Sequence, residues 1–159
     1  MKTLVVYDSV FGNTEMIAKH IGDSIQGARV VRVTEVNLGD LNDVDCLIVG
    51  SPTRAFRPTK DITGFLNKLE SKSLQGVKVA AFDTRMSIKD VDNKVLTFMA
   101  NIFGYADKPI EDKLLKKGGV KAADRAGFIV LDSEGPLKEG EIERASLWAQ
   151  SIVSPTHLE

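Results

Sequence analysis

Residues 5–21 read VVYDSVFGNTEMIAKHI, and the change of pattern inside this stretch decides the fold. Leu4 to Tyr7 is a short, continuous apolar run, as expected for a strand buried on both faces. From Ile17 onward, Ile17, Ala18, Ile21 and Ile25 recur at helical spacing. Small polar residues fill the junction. A helix N-terminus exposes unpaired N–H groups and a partial positive charge. Ser9 and Thr14 add hydroxyls there, Asn13 adds an amide, and Gly12 lets the backbone come close to an anion. Such a turn accommodates a phosphate without lysine or arginine. The same residues also suit a plain strand-to-helix turn in which Asn13 or Thr14 caps the helix. Residue types alone leave both readings open.

The alternation repeats along the chain. Strands are predicted over 30–33, 46–50, 77–82 and 127–131. Pro58 opens a helix whose Ile62, Phe65, Leu66 and Leu69 share a face, and the last helix stripes Ile142, Ala145, Ala149 and Ile152. Residues 84–118 make a longer excursion, with one helix over 91–102 and another over 109–117. Apolar strands alternating with helices imply an α/β three-layer sandwich, a parallel sheet covered on both faces. We read residues 1–157 as one domain and Leu158-Glu159 as a tag remnant. Ligands of such sheets bind at the carboxyl ends of the strands. Three segments leave that edge: 8–14, 51–59, and the stretch beginning Asp83-Thr84-Arg85.

The bulk properties narrow the function. A net charge of −1 over 159 residues gives no overall attraction for nucleic acid or an anionic membrane. The Lys113, Lys116, Lys117 and Lys121 run lacks interleaved aromatics and reads as a solvated helix face. No stretch predicts membrane insertion or a secretory leader, so the expected location is cytoplasmic. Cys46 lies alone in the apolar run DCLIVG, which makes it a buried, inert thiol. His20, His157 and Cys46 have no metal-ligand spacing. The chain contains no GxxxxGK[ST], GxGxxG or GxSxG. The third strand ends Gly50-Ser51 rather than in a phosphoacceptor aspartate, which removes the receiver-domain reading of the same architecture.

Val5-Val6-Tyr7-x-Ser9-x-x-Gly12-x-Thr14-x-x-x-Ala18-x-x-Ile21 resembles the FMN-binding signature of the flavodoxin family, and the likeness extends over nearly the whole chain. The resemblance implies a five-stranded parallel sheet in the order 2-1-3-4-5, with an extra helix after strand 4. It implies FMN as cofactor, its phosphate held by Ser9, Val10, Phe11, Gly12, Asn13 and Thr14. Many members carry a hydroxyl where this chain has Phe11, so one side-chain donor is lost. Ser51, Pro52, Thr53, Arg54, Ala55 and Phe56 resemble the second flavin loop, without the glycine found there in many members. Phe56 or the Arg54 guanidinium can stack on the flat flavin, although Phe56 also reads as a core or lid residue. Asp83, Thr84 and Arg85 supply the third contact, chiefly by backbone. Tyr105 reads as packing against the extra helix in preference to walling the flavin.

The function implied is an electron carrier shuttling between redox protein partners, a reductase and an acceptor. The alternatives are an FMN-dependent reductase of a quinone or other small acceptor, and a fold that has lost flavin binding. No residue is expected to act as acid, base or nucleophile. Arg54, Arg57 and Arg85 on the flavin loops either favour reduced flavin and anionic partners or pair locally with Asp8, Asp61, Asp83 or Asp90.

Overall fold

A computed structural model describes residues 1–87 and 93–154. Asp90, the start of the helix predicted at 91, His157 and the 158–159 remnant lie outside the described residues. The elements in chain order are β1 (Thr3–Tyr7), α1 (Asn13–Asp23), β2 (Arg29–Arg32), β3 (Cys46–Pro52), α2 (Lys60–Lys68) and β4 (Lys78–Met86). Then follow α3 (Lys94–Phe103), α4 (Asp107–Lys116), β5 (Val120–Lys121), β6 (Ala126–Val130) and α5 (Glu141–Val153). All strand pairs are parallel, in the order β2-β1-β3-β4-β5, with β6 also beside β4.

The strand predicted over 127–131 is β6, beside Phe82 to Met86, and a two-residue strand not predicted from the sequence, β5, precedes it beside Lys78-Val79. Between the pairs Val79↔Lys121 and Phe82↔Ala126, β4 advances three residues and its neighbour five, so two extra residues loop out. The fourth strand does not end at Phe82 but continues to Met86. Asp83 and Arg85 read as loop because they are charged; within the strand they neutralise each other, and the ladder continues.

The sheet separates two apolar cores. Leu4, Val6, Leu47, Val49, Val79 and Ala81 face α2 and α4. Val5, Tyr7, Ile48, Ala80 and Phe82 face α1 and α5. Every residue of β1 is buried, as a strand covered on both sides requires. On the α1/α5 side, Phe82 meets Trp148 and Phe128 edge-on, with centroids 6.0 and 6.2 Å away. Gly50 lies beside Phe82 in the register, and a Cβ there would stand 2.0 Å from the ring. This close approach demands glycine. Cys46 is fully buried, and desolvation pushes its thiol up to about 11.

Helix α3 differs from the other helices. Of its residues only Ala100 is buried, while Val95, Phe98, Ile102 and Phe103 are each more than half exposed.

Candidate functional site

The carboxyl ends of β1, β3, β4 and β6 open onto a cleft of about 340 Å³. Its walls come from the first loop (Val10, Phe11, Asn13, Thr14), the second (Pro52 to Ala55) and the end of β4 (Thr84, Arg85, Met86). Val130 and Ser133 close its remaining side. The volume lies in the range of small-ligand clefts, roughly 300–1,000 Å³.

The first loop is built around Gly12, whose φ of 94° precedes the first turn of α1. No side chain caps that turn. The Gly12 amide donates to Ser9 Oγ at 3.1 Å, which folds the loop back on itself. The amides of Val10, Phe11, Asn13, Thr14 and Glu15 have no hydrogen-bond partner among the described residues. The Thr14 and Thr84 hydroxyls meet at 2.7 Å in a buried pair linking α1 to β4. One hydroxyl donates to the other, which leaves one hydrogen for a third acceptor. Asn13 is turned away from the loop: its Nδ2 donates to Glu134 O at 3.1 Å and pins the segment carrying Ser133 over the cleft.

A residue not singled out in the sequence braces this loop from outside. Arg32, at the end of β2, donates to Ser9 O at 3.0 Å and pairs with Glu15 at 2.8 Å and Asp8 at 3.4 Å. Its guanidinium also lies 5.3 Å from the Tyr7 ring centroid. The lysine and arginine ion pairs of Glu15 outweigh its partial burial and hold its carboxyl below the ordinary range, with Lys19 contributing most. Only the parallel pairing of β1 with β2 brings Arg32 here.

In the second loop, Arg54 and Arg57 exchange backbone hydrogen bonds of 2.8 and 3.0 Å across Ala55-Phe56. Both central residues have positive φ, 49° and 67°, the geometry of a tight hairpin that usually takes Asn-Gly. Neither is glycine. The Arg54 guanidinium lies 5.6 Å from the Phe11 ring centroid, joining the first two loops across the cleft mouth. Phe56 is outside the cleft, 6.2 Å from Phe103 of α3. Ser51 is buried, its hydroxyl accepting from Thr59 N at 3.0 Å and donating to Pro52 O at 2.9 Å. Thr53 Oγ1 accepts from Ala106 N at 3.0 Å, at the N-terminus of α4.

Asp83 points away from the cleft into a buried ionic cluster. Arg85 Nε and Nη2 both reach its carboxylate at 2.7 Å, and Asp107 N donates to it at 3.1 Å. Asp107 itself pairs with Arg85 at 3.1 Å. Tyr105 stacks 3.7 Å from the Arg85 guanidinium carbon and does not line the cleft. Gly127, beside Asp83 in the register, leaves room for that guanidinium, since a Cβ there would stand 2.2 Å from it. Burial outweighs these contacts and pushes the Asp83 carboxyl up to about 6. Asp107 gave no sequence signal, and Tyr105, expected to pack against the extra helix, stacks on Arg85 instead; both meet that guanidinium only when the chain folds back over β4. Among the described residues no group of His, Cys, Asp and Glu converges as metal ligands.

The chain matches the flavodoxin domain family over residues 4–128. It is 24% identical over 163 residues to a flavodoxin of Clostridium saccharobutylicum, covering 97% of this chain and 96% of that protein. A flavodoxin of Maridesulfovibrio salexigens is 30% identical over 131 residues, 77% of this chain and 82% of the relative. Among solved structures, oxidised flavodoxin 1 from Bacillus cereus superposes with a TM-score of 0.75 at 20% identity, over 100% of both chains. Flavodoxin 2 of the same organism gives 0.71 at 25%, over 96% of this chain and 97% of the other.

Proposed function

Because the chain belongs to the flavodoxin family, we infer that it is an FMN-binding electron-transfer protein that works between redox protein partners. Bound FMN supplies the redox chemistry; the protein supplies binding, electrostatics and access. The observation that carries the reading is the set of free amides at the N-terminus of α1, beside an open cleft. In this reading Val10, Phe11, Asn13, Thr14 and Glu15 donate their backbone N–H groups to the phosphate. The Thr14–Thr84 pair donates its remaining hydrogen, and Ser9 shapes the loop by accepting from Gly12. The positive end of α1 adds its partial charge. Backbone donors thus replace the hydroxyl lost at Phe11.

The flat ring system would lie between Pro52 to Ala55 and Thr84 to Met86, where the backbone offers hydrogen-bonding groups. Phe11 and the Arg54 guanidinium are the flat groups at hand there, since Phe56 and Tyr105 are engaged elsewhere. Arg85 presents its edge to the cleft, but Asp83 and Asp107 neutralise it. The match to flavodoxins over most of the chain weighs against a reductase of a small acceptor. Open, unpartnered donors weigh against a fold that has lost its cofactor. The proposed compartment is the cytoplasm, which suits an unpaired, buried Cys46.

The test is titration of FMN with protein. Quenching of flavin fluorescence that saturates at one equivalent is expected; fluorescence unchanged at micromolar protein overturns the reading. Purified protein with NAD(P)H alone should show no turnover, because a carrier needs a separate reductase.

A further inference from the structure

A second depression begins where the cleft ends. Val10 and Arg54 line both, so the two are continuous. It is a groove of about 1,270 Å³ running between α2 and α4 over Pro58, Leu66 and Pro109. That exceeds the usual small-molecule site, roughly 300–1,000 Å³. Its walls carry Arg54, Arg57, Lys60, Lys113 and Lys116, none of which is in an ion pair among the described residues. Of its acids, Asp8 is taken by Arg32 and Asp112 by Lys108, which leaves Asp61. A chain of net charge −1 has therefore gathered five unpaired cations against one unpaired acid at one end of its cleft. Arg57, Pro109 and Asp112 then lead into a shallower apolar depression formed by Phe56, Met99, Ile102 and Phe103.

We propose that this strip, the α2/α4 groove with the exposed face of α3, is the docking surface for an acidic redox protein. The inference rests on the electron-carrier reading and adds the chemistry of the partner. Charge complementarity selects the occupant. Five fixed cations steer an anionic surface toward the cleft mouth and reject a basic one. Ile102 and Phe103, each more than half exposed, provide apolar contact beside that charged zone, as the centre of an interface requires. A second copy of this chain would bring like cations to the same place. Continuity through Arg54 puts whatever sits in the groove next to the cofactor cleft.

The test uses the FMN-loaded protein and an acidic plant-type [2Fe–2S] ferredoxin as probe, with binding measured by calorimetry. Affinity is expected to fall at least tenfold between about 20 and about 200 mM NaCl. The triple change Lys60→Glu, Lys113→Glu, Lys116→Glu should weaken binding at least tenfold at the lower salt. FMN affinity should not change, because those side chains lie outside the cleft. Ile102→Ser should weaken docking several-fold with its salt dependence intact. The proposal is overturned if charge reversal leaves ferredoxin binding unchanged. A basic c-type cytochrome binding as tightly, or duplex DNA displacing ferredoxin from the same cations, overturns it too. Repeating the calorimetry without FMN separates the two readings. Docking retained by a protein that never quenches flavin fluorescence sinks the cofactor and keeps the surface. Normal flavin binding without charge-dependent docking does the reverse.

Discussion

The first loop and the second meet across one cleft, yet they are built on opposite terms. The first presents backbone donors from a strand-to-helix junction, with glycine at its one left-handed position, Gly12. The second puts Ala55 and Phe56 into left-handed backbone without glycine and commits its side chains elsewhere: Thr53 to α4, Phe56 to α3, Arg54 to Phe11. Next to it, Asp83 and Arg85 spend their charge on each other and on Asp107. A site made of amides depends on local chain geometry, whereas a site made of side chains depends on what folds against it.

The largest expected effect tests the amide nest. Thr14→Glu puts a carboxylate against the phosphate position in a buried setting. At an effective dielectric near 20, like charges about 4 Å apart repel by about 4 kcal/mol, so FMN affinity should fall about a thousandfold. Flavin fluorescence measures it, and an affinity within tenfold of wild type would remove the phosphate from this loop.

Arg85→Met tests the ionic side of the comparison. It leaves the buried Asp83 and Asp107 without their shared cation and should cost about 3–5 kcal/mol in urea unfolding. A loss below about 1 kcal/mol would mean that the cluster is not structural.

Asp83 sharpens the same point through pH. Its folded carboxyl is raised to about 6 by burial, while the unfolded value is about 3.9. Between these values the folded state holds a proton that the unfolded chain has released. The contribution of Asp83 to stability is thus highest at low pH and declines as pH rises from about 4 to about 6, by about 3 kcal/mol at most. Urea unfolding of wild type and Asp83→Asn across this window should show wild type losing its relative advantage with rising pH. Parallel curves for the two proteins would contradict the raised value.

The smallest effects contrast the two turns directly. Gly12→Ala meets no atom within 4 Å, so its cost is conformational, about 1 kcal/mol. Ala55→Gly relieves a φ of 49° and should stabilise by about 0.5–1 kcal/mol. Thermal melts that show both changes moving stability in one direction would erase the distinction.

This contrast explains what could be read from the chain. The candidate nest was legible because strand, turn and helix are neighbours in sequence, and Ser9, Gly12 and Thr14 stand at the offsets of the flavodoxin signature, although those residue types alone also suit a plain capped turn. The parallel sheet followed from the repeated alternation of apolar strands and helices, and its strand order from the resemblance of Val5 to Ile21 to a flavin-binding signature. The extension of β4 was not legible: Asp83 and Arg85 look like loop residues until a guanidinium and two carboxylates, one from a helix 24 residues onward, are seen to cancel. The short β5 was equally hidden, because the pair Val120-Lys121 offers no apolar run to read.

By itself, then, the order of residues determined the layered architecture, the sheet edge from which the three candidate loops leave and the glycine turn at Gly12, all of which arise from patterns local in the chain. Only the tertiary structure decided where side chains aim: Asn13 toward Glu134, Phe56 toward Phe103, Arg85 into its acids, and five cations into one groove. Periodicity specifies which face of an element is buried, but charge pairing and aromatic contact depend on distances between segments far apart along the chain.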